Sequence, residues 1–180
     1  KCENIKDKLD ENIEFLNLYG FIFFNLKNFE QAIYIWKKVI AINPQFVSAV
    51  NNIGNAFSQI NKFDEAIKYL EIALKINPDF FETHYSLSEI FYKKGNFLLS
   101  LSHLNICLKL KPNNLSTIRN KIQVLLKLNK KDELLKFLNN VIPHHPNNTE
   151  LYYKKAYVLS ELGMNSQSLN TYKTILMIDP

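Results

Sequence analysis

The chain has 180 residues, 47% hydrophobic and 22% charged, which suits one compact domain or one short array and excludes two large domains. The composition excludes intrinsic disorder, and no stretch reaches the roughly 18 consecutive apolar residues of a membrane helix, so an integral membrane protein is not expected. The net charge of +5 rests on 21 Lys and the lone Arg119; bidentate phosphate recognition favours Arg, so nucleic acid is a disfavoured partner.

Five prolines organise the sequence: Pro44, Pro78, Pro112, Pro146 and Pro180 are each 34 residues apart. They define units 13–46, 47–80, 81–114, 115–148 and 149–180, preceded by a polar stretch, 1–12, that reads as a partial helix or cap. The first unit places Leu16, Tyr19, Gly20 and Phe23 on one helical face, then Ala32 and Trp36 on a second helix. In the second, Val50, Ile53, Phe57 and Ile60 form a stripe, Asn61-Lys62 turn the chain, and Asp64 is the expected helix start. Ala66, Ile67, Leu70, Ala73 and Leu74 continue it, and Pro78 ends the unit by pushing Asn77 out of helical geometry. The third unit keeps Leu87, Ser88, Phe91, Ser100 and Leu104, and the fifth keeps Tyr152, Ala156, Leu159, Ser168 and Tyr172.

Connections this short force each helix pair to pack antiparallel. Gly20, Gly54, Ser88 and Ala156 take the eighth place of their units, and Ala32, Ala66, Ser100 and Ser168 the twentieth. Small side chains there let two helices approach at the short end of the ~8–10 Å range. The fourth unit breaks the rule with Ile122 and Leu134, and Lys121 stands where other units carry Tyr19, Ile53 and Leu87. Either a wider or rotated pair, or local repacking, is expected there.

These residues, over 13–180, resemble the tetratricopeptide-repeat family, whose 34-residue pattern runs W-x2-L-G-x2-Y, A-x3-F, P. The resemblance implies an all-α, right-handed superhelical solenoid of antiparallel helix pairs. It implies a groove lined by set places of each first helix. Those places hold Asn17 and Phe21; Asn51, Asn52 and Asn55; Tyr85, Glu89 and Tyr92; Arg119, Asn120 and Gln123; and Tyr153, Lys154 and Tyr157. Amides can hold a peptide backbone without demanding a sequence, and tyrosines add rigid contact area. The carboxylate clamp of chaperone-binding relatives finds only Asn120 and Lys154, with Glu89 and Glu150 opposing it. The asparagine ladder of O-linked N-acetylglucosamine transferases is matched by Asn52 and Asn120 but not by Leu18, Ser86 or Lys154.

No phosphate loop, nucleophile elbow or metal-ligand spacing occurs, so neither enzyme activity, nor a cofactor, nor a metal is expected. Cys107 and His84 read as packing residues, and His144 and His145 as loop or cap residues. Two cysteines, Cys2 and Cys107, build no disulfide framework, which favours a reducing intracellular compartment such as the cytoplasm. Basic residues cluster in the fourth unit, but the second unit is net negative, so no continuous basic stripe follows.

The chain starts at Lys1 and stops at the unit boundary Pro180, as expected of a piece of a longer protein. Its last helix, with Leu169, Tyr172, Ile175, Leu176 and Ile178, is expected to expose an apolar edge. Three functions remain open at this point. The leading one is a non-catalytic scaffold binding a protein or peptide segment in the groove. The second is the recognition arm of a larger enzyme, such as a glycosyltransferase. The third is self-association through uncapped ends.

Overall fold

The computed structural model describes residues 12–179; the expected cap at 1–12 lies outside them except for Asn12. Ten α-helices and no strand occur among the described residues. The chain divides into two compact units after Gly95, between the two helices expected for the third repeat.

The first unit holds α1 (Ile13–Asn25), α2 (Phe29–Ile42), α3 (Val47–Gln59), α4 (Phe63–Ile76) and α5 (Phe81–Lys93). The second holds α6 (Phe97–Leu110), α7 (Leu115–Lys127), α8 (Lys131–Val141), a 3-10 turn (Ile142–His144), α9 (Thr149–Glu161) and α10 (Asn165–Ile178). First helices of each expected pair run 13 residues; their partners run 14 except α8, with 11.

Local chemistry sets these bounds. Asn12, Asn28, Asn96 and Asn114 cap their helices, each side-chain oxygen accepting a backbone N–H three residues on. Asp64 is not the start of α4: Lys62 holds the capping position without a side-chain bond, and Asp64 lies in the first turn, where its charge favours the helix dipole. Asn77 leaves helical geometry at φ −138°, ψ 99°, as its place before Pro78 demands.

The turns inside the pairs share one device that the helical stripes did not reveal. Lys27, Asn61, Gly95, Asn129 and Gly163 all adopt positive φ, between 53° and 75°. They too are 34 residues apart. The backbone N–H of Lys62 then bonds the Phe57 carbonyl, and that of Met164 the Leu159 carbonyl, closing each helix end in the same way.

In the first unit, Trp36 and Leu16 are each 1% exposed at the centre of a core completed by Ile33, Ile53 and Ala56. The indole Nε1 donates to the Asn17 carbonyl at 3.1 Å, so the ring buries its area without orphaning its N–H. A second core joins Leu70, Leu87 and Ile90; burying one such side chain contributes about 1.5–3 kcal/mol. The small eighth-place residues do what their size suggests. A Cβ on Gly54 would fall 2.7 Å from Leu70 Cγ and 3.2 Å from the Ala66 carbonyl oxygen. On Gly20 it would fall 2.5 Å from Trp36 Nε1, so the large ring at the twenty-fourth place, more than Ala32, makes glycine necessary there.

In the second unit, Ser168 donates to the Ala156 carbonyl at 2.8 Å, joining the twentieth and eighth places directly. The pair α7–α8 is different. Ile122 and Leu134 are buried between them, and their backbones come close at far fewer points than those of α9–α10. This pair therefore departs from the close packing of the small-residue pairs, as the two large side chains imply. Pro143 adds a second departure: lacking an N–H, it cannot continue the α-helical bond series, so α8 stops at Val141 and tightens into the 3-10 turn.

Candidate functional site

In the first unit, α1, α3 and α5 turn polar and aromatic side chains into an open cleft of about 380 Å³. Phe21, Asn51, Asn52, Asn55, Tyr85 and Glu89, all expected groove residues, line it together. Phe24, Gln59 and Phe81 complete its walls. Asn51 is a correction in role: it is 4% exposed, and its amide oxygen accepts the Thr83 hydroxyl at 3.0 Å, so it ties α3 to α5 rather than reaching for a ligand. Asn52 donates to Asn17 Oδ1 at 3.4 Å, linking the amides of α1 and α3. Asn17 and Tyr92 do not themselves line the cleft.

Glu82, Glu89 and Lys93 bring charge to this cleft, and Glu89 is the one whose titration is displaced. Desolvation raises its pKa above the ordinary carboxylate value, against the lowering pull of Lys93 and of a hydrogen bond from Tyr85. A carboxylate crowded in this way gains from a ligand cation or N–H donor that restores its lost solvation.

The remaining expected residues lie in the second unit. Tyr153, Lys154 and Tyr157, on α9, line a cleft of about 540 Å³ with Leu125 and Leu126 from α7 and Tyr172 from α10. Arg119 Nε donates to Glu150 Oε2 at 2.8 Å, so the groove cation is paired with the acid expected to repel a carboxylate. Asn120 is half-buried and Gln123 exposed, both on α7.

Sequence reasoning missed Phe81 and Tyr172. Phe81 opens α5 at a place outside the family's groove set, and Tyr172 sits on a second helix, where the pattern implies packing.

His84 and Cys107 behave as packing groups, and His144 and His145 as turn and cap residues. His84 is 5% exposed, with Nε2 2.8 Å from the Pro78 carbonyl oxygen. Cys107 is fully buried. His144 ends the 3-10 turn and His145 caps it. Among the described residues, no three His, Cys, Asp or Glu side chains gather to hold a metal ion, and no helix is long and apolar enough to cross a membrane.

The expected apolar edge exists on α10, with one correction. Leu169, Tyr172, Leu176 and Met177 are exposed, but Ile175 is 3% exposed. It falls about a third of a turn round the helix from Leu169, away from the exposed stripe that Leu169 shares with Leu176. Ile178 is half-buried.

Comparison with known proteins gives these repeats a family. A model described as TPR repeat matches residues 54–95, and one described as Tetratricopeptide repeat matches 13–46 and 149–180. The chain belongs to the tetratricopeptide-repeat family. Its all-α solenoid fold is shared by solved tetratricopeptide structures. The MamA protein matches over 94% of this chain and 92% of its own, at 16% identity and a TM-score of 0.78. YrrB, described as a TPR protein with an unusual peptide-binding site, matches over 99% and 92%, at 17% identity and a TM-score of 0.75. MamA from Desulfovibrio magneticus RS-1 matches over 93% and 94%, at 10% identity and a TM-score of 0.75. No curated protein sequence matches this tetratricopeptide chain.

Proposed function

We propose that this tetratricopeptide array, with repeats bounded as 13–46, 47–80, 81–114, 115–148 and 149–180, is a non-catalytic scaffold that holds an extended peptide or protein segment. The observation that carries the reading is the meeting of Asn52, Asn55, Tyr85 and Glu89 from successive first helices in one cleft. Asn52 and Asn55 are half-buried and carry both donors and acceptors, which suits the alternating N–H and C=O groups of a peptide backbone. Phe21, Phe81 and Tyr85 give flat walls against which side chains of the segment pack. Glu89 accepts from a backbone N–H or a cationic side chain of the ligand. The peptide-binding site for which YrrB is described supports the reading at the level of fold.

The test is a peptide selected from a random display library on residues 1–180, with its affinity then measured against variants. Combined Asn55→Ala and Tyr85→Ala replacement is expected to weaken binding by about 30-fold or more, from the loss of two contacts of about 1–2 kcal/mol each. Circular dichroism of the double variant should match the parent. Unchanged affinity in a variant that folds normally removes the first-unit cleft as the binding site.

A further inference from the structure

We propose that the second-unit cleft binds an acidic segment of a partner protein, taking a side-chain carboxylate on Lys154 and apolar side chains among Tyr153, Tyr157 and Tyr172. This rests on the peptide-scaffold reading above, but assigns a different cleft and a definite ligand chemistry.

The lining carries two lysines with different commitments. Lys131 is bound to Glu161, Nζ to Oε2 at 2.9 Å. Lys154 is half-buried on α9 and makes no ion pair or hydrogen bond among the described residues. Its stem is partly covered while its ammonium is committed to no acid of the chain, so it is available to pair with a ligand carboxylate.

Around it stand three phenol rings. Tyr153 and Tyr157, 52% and 50% exposed, are one helical turn apart on α9. Tyr172, from α10, meets Tyr153 edge-to-face with ring centroids 6.2 Å apart, so two of the rings hold a fixed orientation before any ligand arrives. Leu125, buried, and Leu126, half-buried, add apolar surface. At about 540 Å³ the cleft is within the ~300–1,000 Å³ range of ligand sites.

The field of the surrounding chain points the same way. Residues 96–180 carry eleven basic side chains against five acidic ones. This excess attracts an acidic segment from a distance and speeds encounter. A nucleic-acid strand fits less well. Its closely spaced phosphates need a row of uncommitted cations, whereas Arg119 and Lys131 are already paired with Glu150 and Glu161.

The experiment titrates residues 1–180 with a fluorescently labelled random copolymer of glutamate and tyrosine, which samples many acidic, aromatic sequences. A lysine–tyrosine copolymer and polyuridylate serve as comparisons. The acidic copolymer is expected to bind and the basic one not. Lys154→Met should weaken binding about tenfold, Lys154→Arg should restore most of it, and Tyr157→Ala should weaken it. Lys136→Met, at an exposed site of α8 outside the cleft, should change it less than twofold. No binding, an equal loss with Lys136→Met, or tighter binding of polyuridylate through Lys154 each overturns the proposal. The Asn55→Ala, Tyr85→Ala variant separates the two readings. If it alone abolishes copolymer binding, this assignment fails while the first-unit cleft stands. If it loses its selected peptide yet keeps the copolymer, the first-unit cleft retains its own role beside this one.

Discussion

Residues 1–95 and 96–180 are built on one 34-residue spacing, yet they divide the chemistry unequally. The first carries eleven basic and twelve acidic side chains, the second eleven and five, so the whole positive excess of the chain belongs to the second. Packing differs as well. The first unit closes its helix pairs on Gly20 and Gly54 and buries Trp36; the second opens α7–α8 around Ile122 and Leu134 and leaves Tyr172 41% exposed. Trp36 and Tyr172 occupy the same place in their repeats. One anchors a core and the other lines a cleft, so a repeat place fixes where a side chain stands, and its neighbours fix what it does.

The sharpest break of this comparison is truncation at that shared place. Trp36→Ala is expected to cost about 3–5 kcal/mol, and Tyr172→Ala less than about 1 kcal/mol, by chemical denaturation. Equal costs would mean that the two places are not opposed in burial. Next in size is overpacking. Gly54→Leu is expected to cost about 1–3 kcal/mol or more, because Leu70 and the Ala66 carbonyl leave no room for a side chain. A variant as heat-stable as the parent would refute the close approach of α3 and α4.

The smallest effect concerns Lys121, on α7. Its Nζ lies 4.4 Å from the Phe137 ring centroid, and desolvation lowers its pKa, partly countered by Glu133. A lysine whose folded pKa is lowered costs stability while it is charged, and the cost fades as pH rises through the folded value towards the unfolded value near ~10.4. Lys121→Met is therefore expected to stabilise the chain slightly at pH 7, the gain being reduced by solvent screening of a half-exposed charge and by the loss of a weak cation–π contact. The gain should shrink between pH 7 and 10 in parallel melting curves. A gain that is constant with pH would assign the effect to shape rather than to charge.

Much of the fold was legible because its determinants are local and repeated. The proline spacing, the small eighth and twentieth places and the 3.6-residue stripes each act within a few turns of helix, and recurrence makes them visible. Ile122, Leu134 and Lys121 marked the fourth repeat as a departure, although they left a wider or rotated pair and local repacking both open. The shortening of α8 was equally local, since Pro143 carries it, but Pro143 lies outside the 34-residue spacing that organised the reading. The clefts were legible only in part. Places in a repeat name the side chains that can face a groove, so Asn52, Asn55, Tyr85, Tyr153 and Lys154 were found.

What the sequence determined by itself is the helix pairs and the small places at which they approach, since each follows from backbone preferences and side-chain size at short range. What only the tertiary structure decided is which polar groups are already spent. Asn51 is bound to Thr83, Arg119 to Glu150 and Lys131 to Glu161, while Lys154 makes no such bond and Glu89 is desolvated. Those partners stand 30 to 32 residues apart in the chain. Pairing at such separation depends on how neighbouring helices come together and on how much water they expel, which no residue type announces on its own.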